Sequence, residues 1–197
     1  MPNIITRLAR LLPLALLLAI PFLAIAQQAA PSAQKWRQAK KTDSARGITY
    51  TQFTLAGKFL KWPAGDASIR PTLEVDCTPS ETSHESRRQY LHAYLLAGIP
   101  LEIKYVEPDE ITEGISYYPK INVEYSLDAS KVRREQWDPG PDKASATMNK
   151  GSLERMIEAH TIVISVDENK AGEVTMQFDM PDSAALVEAC DLPNRKK

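Results

Sequence analysis

The sequence predicts a mainly antiparallel α+β domain, a β-sheet or sandwich with two short helices that one disulfide closes. In several short segments apolar and polar residues alternate, which is the period-2 pattern of half-buried strands, and residues 121–128 show it most regularly. Helical spacing occurs in two segments, one after Ser152 and one before Cys190. Because so few helices separate the strands, neighbouring strands are expected to run antiparallel.

The last part of the chain predicts a hairpin followed by a helix. A strand at 162–166 is joined by a turn at 167–171 to a second strand at 172–179. After Pro181 the spacing becomes helical, and Leu186, Val187 and Cys190 share one face of the predicted helix.

The two cysteines are expected to form a structural bridge. Cys77 ends an alternating strand at 73–77, and Cys190 lies on the apolar face of the last helix, so each thiol points toward the apolar side of its own element. Exported chains usually pair their cysteines in an oxidising compartment. The alternative, a reactive thiol pair, lacks the C-x-x-C spacing. We therefore predict a Cys77–Cys190 disulfide.

The first 26 residues have the features of a cleavable signal peptide. Arg7 and Arg10 form a positive region, an apolar run follows at 11–23, and Ala24-Ile25-Ala26 is an A-x-A cleavage signal. A membrane anchor is the competing interpretation, but the run is shorter than the ~20 residues that a span needs and contains two prolines. We therefore expect a periplasmic or secreted protein.

Four parts of the chain follow from these boundaries: a signal peptide at 1–26, a flexible basic arm at 27–46, a single α+β domain at 47–192 and a basic tail at 193–197. The arm carries Trp36, which either packs on the domain or helps the arm to touch acidic lipid headgroups, so membrane contact is at most peripheral. With 24 Lys and Arg against 25 Asp and Glu, the chain is close to neutral, which argues against general nucleic-acid binding.

The segments between these landmarks are assigned from local patterns. Strands are expected at 47–56 and 144–148, and residues 88–97 are interpreted as a strand with a helix as the alternative. Ser152 is the expected N-cap of the first helix. The other segments are interpreted as loops or turns, at 57–70, 78–87, 107–120 and 129–143.

No motif in the sequence indicates catalysis, a metal or a cofactor. The three histidines, His84, His92 and His160, lie in different segments without the spacing of a metal site. The chain has no G-x-S-x-G elbow and no glycine-rich phosphate loop. We expect no cofactor and no enzymatic activity. The alternative is a small periplasmic hydrolase, since catalytic triads are defined by geometry rather than by sequence order.

Two features of the sequence are candidate interaction sites. The first is an acidic loop with Glu107, Asp109, Glu110 and Glu113, whose charges would steer a basic partner. The second is Trp137 in the turn 137–142, because tryptophan is enriched among binding hot spots. The alternative for Trp137 is that it packs under its own loop.

The order of several segments resembles a known family. These segments are Trp36, KTDSARGITYTQFTLAG, RPTLEVDC, INVEYSLD, Trp137 and ERMIEAHTIVISVDENKAGEVTMQFDMPDSAALVEAC. In this order the chain resembles the VasI-type accessory proteins associated with type VI secretion, and related exported domains of unknown function, over residues 36–192. The most specific part is an F-D pair followed by a short helix that ends in A-C. The resemblance implies a disulfide-closed envelope domain with an interaction role and no catalytic residues.

Taken together, these patterns indicate an exported protein that acts as a non-catalytic binding or accessory domain in the cell envelope. Its partner is expected to be another envelope protein, and a link to a secretion system is implied by the resemblance alone.

Overall fold

The computed structural model of the protein describes residues 35–45, 47–62, 68–78, 91–106, 117–169 and 172–193, all within the compact unit Gln34–Lys197. The predicted signal peptide and the ends of the predicted arm and tail, residues 27–34 and 194–197, lie outside this part of the chain. The described residues form eleven strands and two helices: β1 (Arg37–Asp43), β2 (Ile48–Ala56), β3 (Lys58–Lys61), β4 (Thr72–Cys77), β5 (Leu91–Leu96), β6 (Lys104–Val106), β7 (Tyr118–Leu127), β8 (Arg133–Pro139), β9 (Ser145–Met148), α1 (Lys150–Met156), β10 (Thr161–Glu168), β11 (Gly172–Asp179) and α2 (Ala184–Ala189).

The strands pair antiparallel in the order β1-β2-β4-β5-β9-β8-β7-β10-β11-β3, with β6 added to β7. We call β1, β2, β4, β5 and β9 the first half-sheet, and β7, β10, β11 and β3 the second half-sheet. β8 belongs to both, because its residues 133–137 pair with β7 and its residues 138–139 pair with β9. The predicted fold class, a mainly antiparallel α+β domain with two short helices, is confirmed.

One hydrophobic core lies between the half-sheets. Alternate residues of the central strands point inward and are buried, among them Phe53 and Val75 in the first half-sheet and Ile164 and Met176 in the second. The side chains between them face outward and are mostly polar. Because the inward rows of both half-sheets belong to the same core, the two half-sheets pack face to face. Neither α1 nor α2, the helices of this described part, is long and apolar enough to cross a bilayer.

Gly57 carries the chain from one half-sheet to the other. It is the single residue between β2 and β3, which lie far apart in the strand order. A Cβ atom at this position would lie 2.5 Å from Cε1 of Phe178 and 2.8 Å from the backbone oxygen of Gln177. Only glycine lets the backbone approach β11 this closely.

The predicted disulfide is confirmed. Cys77 at the end of β4 is bonded to Cys190 after α2, with their Cα atoms 5.3 Å apart and both residues fully buried. The bridge closes a loop of 113 residues and ties the first half-sheet to the helix that follows the second. A disulfide of this kind is consistent with an oxidising compartment.

Part of the predicted flexible arm is a strand. Residues 37–43 form β1, which pairs with β2 from Arg37 opposite Thr54 to Asp43 opposite Ile48. The prediction of a flexible arm is therefore wrong for these residues. β1 lies at the end of the sheet and is exposed, so its pairing depends on backbone hydrogen bonds and leaves no apolar alternation in the sequence. Trp36 is half-buried and packs against the core.

Several other boundaries differ from the predictions. β3 and β8 lie in segments that were predicted to be a loop and a turn. Asn149, rather than Ser152, caps α1, because its Oδ1 atom accepts a hydrogen bond of 2.8 Å from the Ser152 backbone N–H. The strand at 88–97 is confirmed over Leu91–Leu96, and the alternative helix is excluded there.

Candidate functional site

The structure removes Trp137 as an exposed hot spot. Trp137 lies in β8 opposite Ile121, and only 1% of its surface is exposed. Its indole N–H donates a hydrogen bond of 3.0 Å to Oε2 of Glu135. The prediction that Trp137 is an interaction residue is therefore wrong, because its side chain belongs to the core rather than to a surface turn. The acidic residues Glu107, Asp109, Glu110 and Glu113 lie outside the described residues.

Glu135 is the centre of a polar network between α1 and the sheet. Its Oε1 atom accepts hydrogen bonds of 2.6 Å from the Tyr125 hydroxyl and of 2.6 Å from Arg155 Nη2. Its Oε2 atom accepts from the Trp137 indole and from the Ser152 hydroxyl. Burial on its own would raise the pKa of Glu135. The hydrogen bonds from Ser152, Trp137 and Tyr125, with the charge of Arg155, outweigh burial and lower that pKa to about 2.

This network joins α1 to the sheet. The Ser152 hydroxyl donates a hydrogen bond to the ionised Glu135 carboxylate. Arg155, from the same helix as Ser152, neutralises the negative charge of Glu135. Activation of a serine nucleophile needs a neighbouring base that takes its proton, most often a histidine. Glu135 is a poor base at its lowered pKa, so Glu135 and Ser152 stabilise the packing of α1 on β7 and β8.

A hairpin that extends beyond the core carries three exposed tyrosines. The tyrosine hairpin, as we call it, consists of residues 104–106, which are β6, and residues 117–120, which are Tyr117 and the first three residues of β7. Its strands pair with Tyr105 opposite Pro119 and Val106 opposite Tyr118. The loop that joins them in the sequence is the acidic loop. Tyr105 is 69% exposed, Tyr117 53% and Tyr118 39%.

The tyrosine hairpin continues the inward face of the sheet past the end of the core. Ile121, Val123 and Tyr125 of β7 alternate into the core. The same alternation places Pro119 and Tyr117 on that face, and strand pairing adds Tyr105 beside Pro119. All three are exposed. The hairpin therefore presents an aromatic surface that is not part of the core.

The basic residues of the tyrosine hairpin are held by acids from the rest of the domain. Lys104 and Lys120 lie directly opposite each other on the outer face. Lys104 Nζ is 3.5 Å from a carboxylate oxygen of Asp167, and Lys120 Nζ is 2.6 Å from one of Asp138. These ion pairs offset the repulsion between the two lysines and fix the hairpin against β8 and β10.

Sequence reasoning missed Tyr117 and Tyr118 because residues 107–120 were interpreted as one loop, and it assigned no element to Tyr105. The adjacent pair Tyr117-Tyr118, directly before the regular strand 121–128, was the available signal, since large aromatic residues are typical of strands.

A shallow groove of about 410 Å³ lies on the outer face of the second half-sheet. Its acids are paired with bases: Glu124 with Arg134 at 2.8 Å, Glu173 with Lys61 at 2.8 Å, and Asp167 with Lys104. The lining residues are Asn122, Glu124, Ser165, Val166, Asp167 and Glu173. Paired, exposed acids of this kind are typical of a solvated surface.

The described part of the chain holds no group of three or more His, Cys, Asp or Glu side chains that is arranged to bind a metal ion. His84 lies outside this part. His160 follows α1, and its backbone N–H donates a hydrogen bond of 2.8 Å to Asp128. His92 lies on the outer face of β5, opposite Asp76.

The chain matches no protein-family model, and comparisons with curated proteins and with solved structures also found no match.

Proposed function

We propose that the protein is an exported, non-catalytic binding domain of the cell envelope, and that it holds a partner protein on the tyrosine hairpin. The exposure of Tyr105, Tyr117 and Tyr118 on one short hairpin is the observation that carries this proposal. Tyrosine supplies a large contact area at a low entropic cost, and it is enriched in protein interfaces and among their hot spots.

The position of the tyrosines supports binding over a structural role. A tyrosine that served the core would be buried, as Tyr125 is at 1% exposure. Tyr105 and Tyr117 instead lie beyond the last buried residue on the inward face of β7, which is Ile121. Their rings can be covered by a partner without any change in the core.

Two features support the envelope as the location. The predicted leader at 1–26 would export the chain, and the buried Cys77–Cys190 disulfide is stable in an oxidising compartment. More specifically, we propose the accessory role in type VI secretion that the sequence resemblance implies, with an envelope protein as the partner.

Site-specific cross-linking in intact cells tests the proposal. The photoreactive residue p-benzoylphenylalanine replaces Tyr105 in one variant and Val132 in a matched control, because Val132 is 51% exposed and lies outside the hairpin. We expect one prominent protein adduct from position 105 and none from position 132, and mass spectrometry of the adduct identifies the partner. Equal labelling from both positions, or no adduct from position 105, would contradict the proposal.

A further inference from the structure

The outer face of the first half-sheet carries two carboxyl groups, of which one is partly and the other almost fully covered. Glu74 and Asp76 lie two residues apart on β4, so both side chains point to the outer face. In the strand pairing Asp76 lies between Gln52 of β2 and His92 of β5. Asp76 is only 6% exposed, although it lies on the face that is turned away from the core.

Asp76 has one oxygen without a donor. The side chain of Gln52 hydrogen-bonds both carboxyl groups, but Oδ1 of Asp76 is buried and accepts no hydrogen bond from the residues that the structure describes. A buried carboxylate oxygen without a donor is strongly unfavourable and is rare in folded proteins. Within the described part of the chain, Asp76 therefore lacks one hydrogen-bond donor.

The positive charges near the two carboxyls stabilise their ionised forms only partly. Burial raises the pKa of Glu74, and the negative charge of Asp76 raises it further, while Lys41 of β1 lowers it. Burial also raises the pKa of Asp76, against the lowering effects of the Gln52 hydrogen bond and of the charges of His92 and Lys41. The net direction is upward for both groups, so their ionised forms would be stabilised by a further cation.

Aromatic rings border the two carboxyls on β5. Tyr94 lies opposite Glu74, and its ring stacks with that of His92 at a centroid distance of 6.0 Å and an interplanar angle of 9°. The faces of aromatic rings attract cations, most strongly when water is excluded. Carboxylates beside an aromatic wall are the chemistry that recognises an organic cation.

The geometry points to a binding site for a primary ammonium group, formed by the partly exposed Glu74 carboxylate and the neighbouring Asp76 carboxyl on the same face of β4. An ammonium group has three donors on a narrow alkyl stem, whereas the planar guanidinium group is wider. A narrow group suits a carboxyl that is almost fully covered. These residues are separate from the tyrosine hairpin, so the inference does not rest on the proposed function.

A titration followed by NMR tests this site on the mature, disulfide-bonded protein. The probe is N-acetyl-lysine methylamide, and the control ligand is its neutral Nε-acetylated form. We expect the lysine probe to shift the signals of Gln52, Asp76 and His92 in a saturable way, and the neutral form to leave them unchanged. Because the carboxyls bind the cation only when ionised, affinity should rise as the pH increases through their raised pKa values.

Substitutions separate this site from general attraction to acidic surfaces. Asp76→Asn and Glu74→Gln should each weaken binding of the probe about tenfold or more, since each removes a charged hydrogen bond. Glu124→Gln is the matched control, because Glu124 lies on the opposite half-sheet and is already paired with Arg134. Equal affinity in Asp76→Asn and the parent, or equal shifts from the neutral ligand, would overturn the inference.

The source of the ammonium group is resolved by a second ligand, an extended peptide with one central lysine. Tighter binding of the peptide than of the single residue would support a lysine of a protein partner. Equal binding would support a small amine. Absence of saturable shifts with both ligands would overturn the site itself.

Discussion

Replacing Glu135 with glutamine should remove a pH-dependent part of the stability. The pKa of Glu135 is about 2, against 4.5 for the ordinary side chain, so the folded state favours the ionised carboxylate. The difference of 4.5 − 2, taken at about 1.36 kcal/mol for each pKa unit, corresponds to ~3 kcal/mol. The Glu135 side chain is only 18% exposed, so solvent screening reduces this figure little.

The sign of the effect follows from the lowered pKa. A carboxylate whose pKa falls on folding contributes stability that is fully present above the unfolded pKa and is lost as the pH falls through the folded pKa. For Glu135 this range runs from about pH 4.5 down to about pH 2. The parent should therefore lose up to ~3 kcal/mol more stability than Glu135→Gln across this range.

Urea unfolding of both proteins at a series of pH values measures this difference. Carboxyls that the two proteins share cancel when the free energies of unfolding are subtracted. Glu124→Gln is the control, because Glu124 pairs with Arg134 at an exposed site where ion pairs contribute little. If the free energies of the parent and of Glu135→Gln fall in parallel between about pH 6 and about pH 2, the Glu135 network does not stabilise α1 as described.

Three further changes test other parts of the fold. Cys77→Ala should lower the free energy of unfolding by ~2–5 kcal/mol under oxidising conditions, and an unchanged denaturant midpoint would argue against a stabilising bridge. Gly57→Ala should cost ~1–3 kcal/mol in the same assay, because the added methyl group meets Phe178 and the backbone of Gln177; a loss no larger than that of Gly151→Ala, where the added Cβ lies 3.4 Å from its nearest neighbours, would contradict this. The raised pKa of Asp76 means that its ionisation destabilises the fold as the pH rises, so Asp76→Asn should gain stability relative to the parent at neutral pH and lose that gain in acid; a pH-independent difference would contradict this.

Elements whose side chains alternate between core and solvent could be predicted from the sequence. β10 and β11 are buried on one face only, so their apolar residues recur at every second position and the hairpin is visible in the pattern. The partner of Cys77 was predictable for the same reason. Each cysteine is the last of several apolar residues on one face of its strand or helix, and such a face is expected to point toward the core.

Strands whose sequences show no apolar alternation could not be predicted in this way. β1 has no buried face, so nothing in its polar, basic sequence distinguishes it from a flexible arm. In β8, Pro139 and Gly140 are typical of a turn, and the turn does begin there. The residues before Pro139 were assigned to the same turn. They are recognised as a strand only from the structure, in which Trp137 pairs with Ile121 of β7 and is buried.

The candidate interaction surface depends on contacts between distant segments. Tyr105 and Pro119 are neighbours only because β6 pairs with the start of β7. Asp76, Gln52 and His92 likewise come from three strands that the sequence does not order. The alternation of apolar and polar residues predicts which face of the sheet a side chain takes. Which residues lie next to each other on neighbouring strands depends on the register of strand pairing.

The affinity of the cross-linked partner for a tyrosine variant tests the central claim most directly. The purified partner is titrated calorimetrically with the parent, with Tyr105→Ser/Tyr117→Ser, and with Leu60→Ser as a control, since Leu60 is 52% exposed on β3. We predict that the double variant binds about thirtyfold or more weakly, as expected for the loss of a hot spot, while its melting temperature and the affinity of Leu60→Ser stay at the parent values. An affinity of the double variant within about twofold of the parent would contradict binding through the tyrosine hairpin.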